Sequence, residues 1–192
     1  MNEANKLKEV IFKICPLSEQ EWEEFISCFT YQKFEKGEHL CREGQIENNV
    51  YFIISGISRV YFRQGSKEYT IDFLFENDFI SSYLSFLTRE PSSLNVEAIE
   101  SLETLKTSYQ QLNALYAKSH SIERLGRLFS DQIYIKKTRR EIELLSLTAE
   151  QRYKNLLHKN PVLVRNISIK HLSSYLGIHP ESLSRIRGKI IE

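Results

Sequence analysis

Between Ile169 and Glu192 the apolar residues keep helical spacing on both sides of a single glycine, a pattern that few folds accept. Ile169, Leu172 and Leu176 fall at i, i+3 and i+7, one face of a short helix. Gly177 follows at once, where the chain must turn and a left-handed residue fits. Ile178 is placed to pack under that turn. Pro180 stands just inside the start of a second helix, where its missing N–H costs nothing, and Leu183 and Ile186 form the inner face. Two amphipathic helices joined by a tight turn have the spacing of a helix-turn-helix, whose second helix enters the DNA major groove.

A plain helical hairpin in a small core shares the apolar spacing but does not call for the opposite face. That face carries His179, Glu181, Ser182, Ser184, Arg185 and Lys189, all able to hydrogen-bond bases or phosphates. Arg185 is the candidate for a bidentate contact with a guanine edge, and Glu181 for accepting from cytosine N4. Ser182 is placed for a base or a phosphate. His179, Lys189 and Lys170 on the preceding helix are placed for phosphates. The expected partner is double-stranded DNA.

The formal net charge of +1 hides an asymmetry that supports this reading. Residues 1–135 hold 14 Lys and Arg against 20 Asp and Glu, a net of −6, and residues 136–192 hold 12 against 5, a net of +7. A basic end on an acidic body is what a phosphate-facing module needs.

The rest of the chain changes texture twice. The first 30 residues read as helical: Leu7, Val10, Ile11 and Ile14 keep helical spacing and Pro16 breaks the run. Ser18 and Glu21 then form a capping-box pattern before Trp22, Phe25 and Ile26. From Phe29 to about Glu103, short apolar strands alternate with turn signals every 8–12 residues or so, the pattern of a sandwich or barrel. Val50–Ile54, Ser58–Phe62, Tyr69–Phe75, Leu94–Ile99 and Leu102–Lys106 are the clearest strands. From Tyr109 the period is helical again. A long helix, roughly Ser121 to Ser146, sets Leu125, Leu128, Gln132, Ile135, Arg139 and Ile142 in steps of three and four. A lone helix of that length needs a cover for its stripe, so a homodimer is expected.

Composition narrows the function classes. With 41% hydrophobic and 27% charged residues the chain has material for an ordinary core. No apolar run approaches the ~18 residues of a membrane span, and Glu3, Lys6, Lys8 and Glu9 interrupt any secretory signal, so a cytoplasmic location is expected and no membrane partner. Cys15, Cys28 and Cys41 are odd in number and widely spaced, which excludes a full disulfide framework and close-spaced zinc or iron–sulfur patterns. An enzyme built on the strand region, such as a metal-dependent barrel, needs two or three His with a carboxylate. His39 is the only His before residue 120, and no G-x-S-x-G, P-loop or H-E-x-x-H occurs. No catalytic residue, metal ligand or resident cofactor is expected.

Lys36-Gly37-Glu38-His39-Leu40-Cys41-Arg42-Glu43-Gly44, then Tyr51-Phe52-Ile53-Ile54-Ser55-Gly56, then the terminal motif, occur in an order that resembles the cyclic-AMP receptor protein / FNR superfamily of transcription regulators. The terminal motif is most similar to Bacteroidetes-type members. The likeness covers nearly the whole chain. It implies an α+β fold: an N-terminal β-roll, jelly-roll-like as in cyclic-nucleotide-binding domains, with flanking helices, over 1–120 as the sensor domain; a dimerisation helix over 121–146; and a helix-turn-helix domain over 147–192.

The resemblance breaks at the phosphate cassette. Family members that bind cyclic nucleotides carry a Gly-Glu pair there, whose Glu grips the ribose, and later an Arg that neutralises the phosphate. Ser81 and Ser82 stand for Gly-Glu, Ser92 stands for the Arg, and only Ser93 matches. Losing that guanidinium removes a charge-assisted pair of about 1.5–3 kcal/mol. Cyclic AMP is therefore not the expected effector. Arg89, close in sequence, is a candidate substitute, and Ser81, Ser82, Ser92 and Ser93 are candidates for hydrogen-bonding another small effector, although serines in such a stretch equally serve turns. Two other readings stay open: a cyclic-nucleotide-responsive regulator with a non-standard pocket, and a ligand-binding or interaction module that does not touch DNA.

Overall fold

A computed structural model describes residues 3–191, and the side chains of all of these except 162, 190 and 191. Glu192 and the side chains of Val162, Ile190 and Ile191, which the terminal part of the sequence reading includes, lie outside the described residues. Contacts divide the chain into two compact units, Met1–Phe62 with Asp72–Gln132, and Arg63–Ile71 with Ile133–Glu192.

The first unit opens with α1 (Glu3–Ile14) and α2 (Glu19–Ser27). The capping box read from Ser18 and Glu21 is formed: the Ser18 hydroxyl accepts from the Glu21 N–H and the Glu21 carboxylate accepts from the Ser18 N–H. Eight strands follow among the described residues: β1 (Thr30–Phe34), β2 (His39–Cys41), β3 (Asn49–Ser55), β4 (Ser58–Gln64), β5 (Lys67–Leu74), β6 (Phe79–Ile80), β7 (Asn95–Ala98) and β8 (Leu102–Ser108). A short helix, α3 (Tyr83–Thr88), interrupts them after β6. The strands form two four-stranded sheets, ordered β1-β8-β3-β6 and β2-β7-β4-β5. β8 pairs antiparallel with both β1 and β3, and β7 with both β2 and β4.

β3 is buried along nearly its whole length, so both of its faces are covered. Phe52 pairs with Leu105, and both pack against the helices in a core that includes Leu7, Ile11, Trp22 and Phe25. Their neighbours Tyr51 and Ile53 turn to the opposite face and are buried too. A run buried on both faces reads as continuous apolar residues, which is why Val50–Ile54 shows no alternation. Gly56 ends the strand at φ 94°, and a Cβ there would strike the Ser101 carbonyl, so the turn admits only glycine.

α4 (Tyr109–Lys118) and α5 (His120–Ser146) follow β8. α5 runs 27 residues, as the uninterrupted period predicts. Its stripe is not uniform. Ile122 and Leu125 are spent on the core of the first unit, whereas Ile135 and Ile142 stand 46% and 57% exposed. Leu125, read above as part of the dimer seam, is therefore an internal core residue. The apolar part of the seam that is free to meet a partner lies in the second half of the helix. No described helix is long and apolar enough to cross a membrane.

In the second unit, α6 (Ala149–Lys159), α7 (Pro161–Asn166), α8 (Ile169–Leu176) and α9 (Pro180–Ile191) follow one another with short connections. Their shared core includes Tyr153, Leu163, Leu172, Leu176 and Leu183, all at most 5% exposed.

Candidate functional site

The terminal helix pair is built from local signals. Ser168 caps α8 by accepting from the His171 N–H at 3.2 Å. Leu172 and Leu176 are fully buried, as their spacing predicts, but Ile169 is 42% exposed. It opens the first turn of α8, ahead of the part of the helix that meets the core. Gly177 adopts φ 67°, its N–H reaches the Ser174 carbonyl at 3.1 Å, and the Ile178 N–H reaches the Ser173 carbonyl at 3.0 Å. These two bonds are a Schellman closure, which needs a left-handed residue at this position. Pro180 then begins α9, the Leu183 N–H bonds the His179 carbonyl at 3.1 Å, and Leu183 is fully buried.

The polar flank of α9 stands out from its unit. His179, Glu181, Ser184, Arg185 and Lys189 are exposed, as is Lys170 on α8, and Ser182 is half-buried. Arg187 points elsewhere: it donates to the Val164 carbonyl at 3.0 Å, with its guanidinium 6.0 Å from the centre of the Tyr153 ring. Residues two apart on a helix lie about 200° apart, so Arg185 and Arg187 are divided between outside and inside.

Three further side chains of this unit escape sequence reasoning. Ser174 accepts from the Thr70 N–H at 2.8 Å and donates to the Glu68 carbonyl at 2.9 Å, binding residues 63–71 to α8. Arg140 donates to the Tyr175 carbonyl and stacks 3.6 Å from the centre of that ring. Arg152 donates to the Leu176 carbonyl at 3.1 Å. Their partners lie 35 and 24 residues away or more, and no local pattern marks them.

In the first unit the cassette residues have four different settings. Ser82 and Ser92 are buried, with their hydroxyls 2.6 Å apart, and Ser92 also donates to the Leu94 carbonyl at 2.8 Å. Ser81 donates to the Asn49 carbonyl at 2.9 Å. Ser93 is exposed. Arg89, at φ 61°, donates to the carbonyls of Glu47 at 2.7 Å and Phe86 at 3.1 Å and to Asn48 Oδ1 at 2.5 Å. Its guanidinium lies 4.2 Å from the Tyr109 ring centre. The arginine thus braces the chain around residue 47.

Glu47, which the sequence does not single out, is the centre of this arrangement. It is 2% exposed, and its carboxylate accepts from the Asn49 N–H at 2.9 Å and the Ser82 N–H at 3.4 Å. Burial pushes its pKa up, while those backbone donors pull it back. The Cys41 thiol is pushed up to about 12, by burial first and by the nearby Glu47 charge second. At that value it is a small buried thiol with little thiolate character. A carboxylate, not a guanidinium, therefore sits among the cassette serines. Among the described residues, no three His, Cys, Asp or Glu side chains are grouped to hold a metal.

Known proteins agree with this architecture. Residues 31–119 match the family described as cyclic nucleotide-binding domain. None of the curated proteins is significantly similar in sequence. Among solved structures, FixK2 from Bradyrhizobium japonicum superposes with a TM-score of 0.71 at 18% identity, covering 84% of each chain. CLP, a c-di-GMP-responsive global regulator of Xanthomonas campestris, superposes with 0.68 at 17%, covering 90% of this chain and 91% of its own. The catabolite activator protein of Thermus thermophilus gives 0.59 at 19%, covering 95% and 86%. CLP is a regulator and the Thermus protein an activator, and at such identities the likeness is one of fold. Residues 31–119 thus resemble a cyclic nucleotide-binding domain, and the chain shares the fold of these neighbours.

Proposed function

We propose that this chain is a homodimeric, sequence-specific DNA-binding transcription regulator, not an enzyme, whose β-roll does not use cyclic AMP as its effector. The observation that carries the reading is the exposed polar flank of α9, held out from a buried Leu172–Leu176–Leu183 core by the capped turn at Gly177. Arg185 reads a guanine edge through its fork of donors, and Glu181 accepts from cytosine. Ser182 and Ser184 add contacts to base or phosphate, and Lys170, His179 and Lys189 hold phosphates. The exposed Ile135 and Ile142 of α5 meet those of a second copy. Two-fold symmetry then sets the recognition helices about 34 Å apart, one duplex turn.

Glu47 supports the statement about cyclic AMP. A cyclic phosphate entering beside Ser82 and Ser92 would meet a buried carboxylate, and Arg89 is already bonded to the carbonyls of Glu47 and Phe86. Like charges in a poorly solvated site repel strongly. The family match over residues 31–119 favours a second reading, a nucleotide-responsive regulator with a non-standard pocket. Calorimetry with cyclic AMP, cyclic GMP and the c-di-GMP named for CLP separates the two; micromolar or tighter binding of cyclic AMP establishes the second reading.

Selection of bound duplexes from a random pool tests the leading reading. Enrichment of a two-fold symmetric sequence supports it. Random DNA retained without preference and without a steep salt dependence removes it.

A further inference from the structure

We propose that Arg140 and Arg152 are positioning residues that lock the reading head to the end of the dimerisation helix, and so set the spacing between the two half-sites the protein accepts. The proposal rests on the DNA-binding reading above and concerns a feature that reading leaves open.

The last four carbonyls of a helix have no partner inside it. In α8 these belong to Ser173, Ser174, Tyr175 and Leu176. The Schellman turn takes the first two, through the N–H groups of Ile178 and Gly177. The Tyr175 carbonyl accepts from the guanidinium of Arg140, on α5, and the Leu176 carbonyl accepts from that of Arg152, on α6. Cations at a helix C-terminus also meet the negative end of its dipole.

Arg152 does more than close α8. The same guanidinium donates to the Leu147 carbonyl at 2.5 Å and the Leu144 carbonyl at 3.4 Å, at the C-terminal end of α5. One planar group thereby ties the end of α5 to the end of α8. Arg140, two turns back on α5, adds a second tie one residue away and stacks on the Tyr175 ring. Two ties on adjacent residues, from two helices, remove the freedom of α8 to rotate about a single contact. Residues 133–146 of α5 and the α8–α9 pair belong to one compact unit, so these ties hold the recognition flank at a fixed angle to the exposed Ile135 and Ile142. In a symmetric dimer that angle is the half-site spacing. Lysine cannot substitute, because an ammonium has no planar fork to span several carbonyls.

The test uses the full chain and duplexes carrying the sequence that the unaltered protein selects from a random pool. Three kinds are compared: two half-sites at the selected spacing, two half-sites with one base pair added or removed, and a single half-site. Arg152→Lys and Arg140→Met are expected to bind the first duplex about tenfold or more weakly. Both should hold the single half-site within about twofold, and their preference among spacings should flatten. A parallel fall on single and double sites overturns the proposal, as does an unchanged spacing profile. Label pairs carried by noncanonical residues at positions 141 and 184 give a second readout on free protein. Their distance distribution should broaden in both variants, and an unchanged narrow distribution overturns the proposal even if no DNA sequence is ever selected. If Arg152→Lys does not fold, Arg140→Met carries both measurements, since Arg140 ties α5 to α8 at Tyr175. A pool that yields no sequence removes the DNA-binding reading instead, and the label pair then decides the positioning role alone.

Discussion

Arg185 and Arg187 are chemically identical and two positions apart, yet one is exposed and the other is bonded to the Val164 carbonyl. They should fail differently. Arg185→Ala should weaken specific DNA binding by roughly 1–3 kcal/mol and relax preference at one base pair, with melting unchanged. Binding to scrambled and cognate duplexes equal to the parent's removes the assignment. Arg187→Ala should instead lower the melting temperature, since it breaks a charge-assisted bond of about 1.5–3 kcal/mol. Glu47 makes a third residue-level case. Its folded pKa lies above the ordinary carboxylate value of 4.5, so the folded state binds more protons than the unfolded one just above that pH. Its contribution to stability is fully present below about 4.5 and is lost as pH rises through the raised value. Glu47→Gln, which cannot ionise, should raise stability at pH 7 and flatten that part of the pH profile, as thermal melts across pH 4–9 will show. A profile unchanged by the substitution means the carboxylate is not titrating in the buried site.

At the scale of elements, caps and stripes decide most. The Ser18–Glu21 box recurs as Ser108–Gln111 and Thr148–Gln151, each closing the first turn of a helix in the same reciprocal way. Glu21 does double duty, because its carboxylate also accepts from the Ser119 hydroxyl at 2.6 Å, just before α5. Hydrogen bonds from Ser119 first, then Ser18, hold its pKa down to about 2. The associated stability is present above 4.5 and fades as pH falls towards 2. Glu21→Ala should remove that acid-side slope and lower the melting temperature at pH 7, as thermal melts across pH 2–7 will show. The α5 stripe was legible as a stripe, but its division was not. Whether Leu125 faces a partner or its own core depends on what α1, α2 and α4 place beside it. Ile135→Glu with Ile142→Glu should therefore weaken self-association by at least about tenfold, read by sedimentation, and leave the first unit's melt unchanged. Retention of a dimer at the parent's strength moves the interface elsewhere.

Across the whole molecule the charge is divided, −6 over residues 1–135 and +7 over residues 136–192. On the proposed reading two phosphate-facing lysines per copy, Lys170 and Lys189, give four cations in a dimer. The logarithm of the DNA association constant should then fall against the logarithm of salt with a slope of about −3.5. A slope near zero would mean that the basic face does not meet phosphates.

The sequence by itself determined what local physics determines. Period fixes helix or strand, glycine and proline fix the turn at Gly177–Pro180, and a Ser or Thr three residues before a Glu or Gln fixes a helix start. Those rules placed β3, β4, β5, β7 and β8, the long helix and the terminal pair, and put Arg185 outside, but not the short strands β2 and β6. The tertiary structure alone decided the rest. Glu47 meets Ser82 across 35 residues, Arg152 meets Leu176 across 24, and Arg140 meets Tyr175 across 35. Such partners are chosen by how sheets and helices come together in space, so the carboxylate in the cassette and the arginine ties on α8 became visible only once the chain was folded.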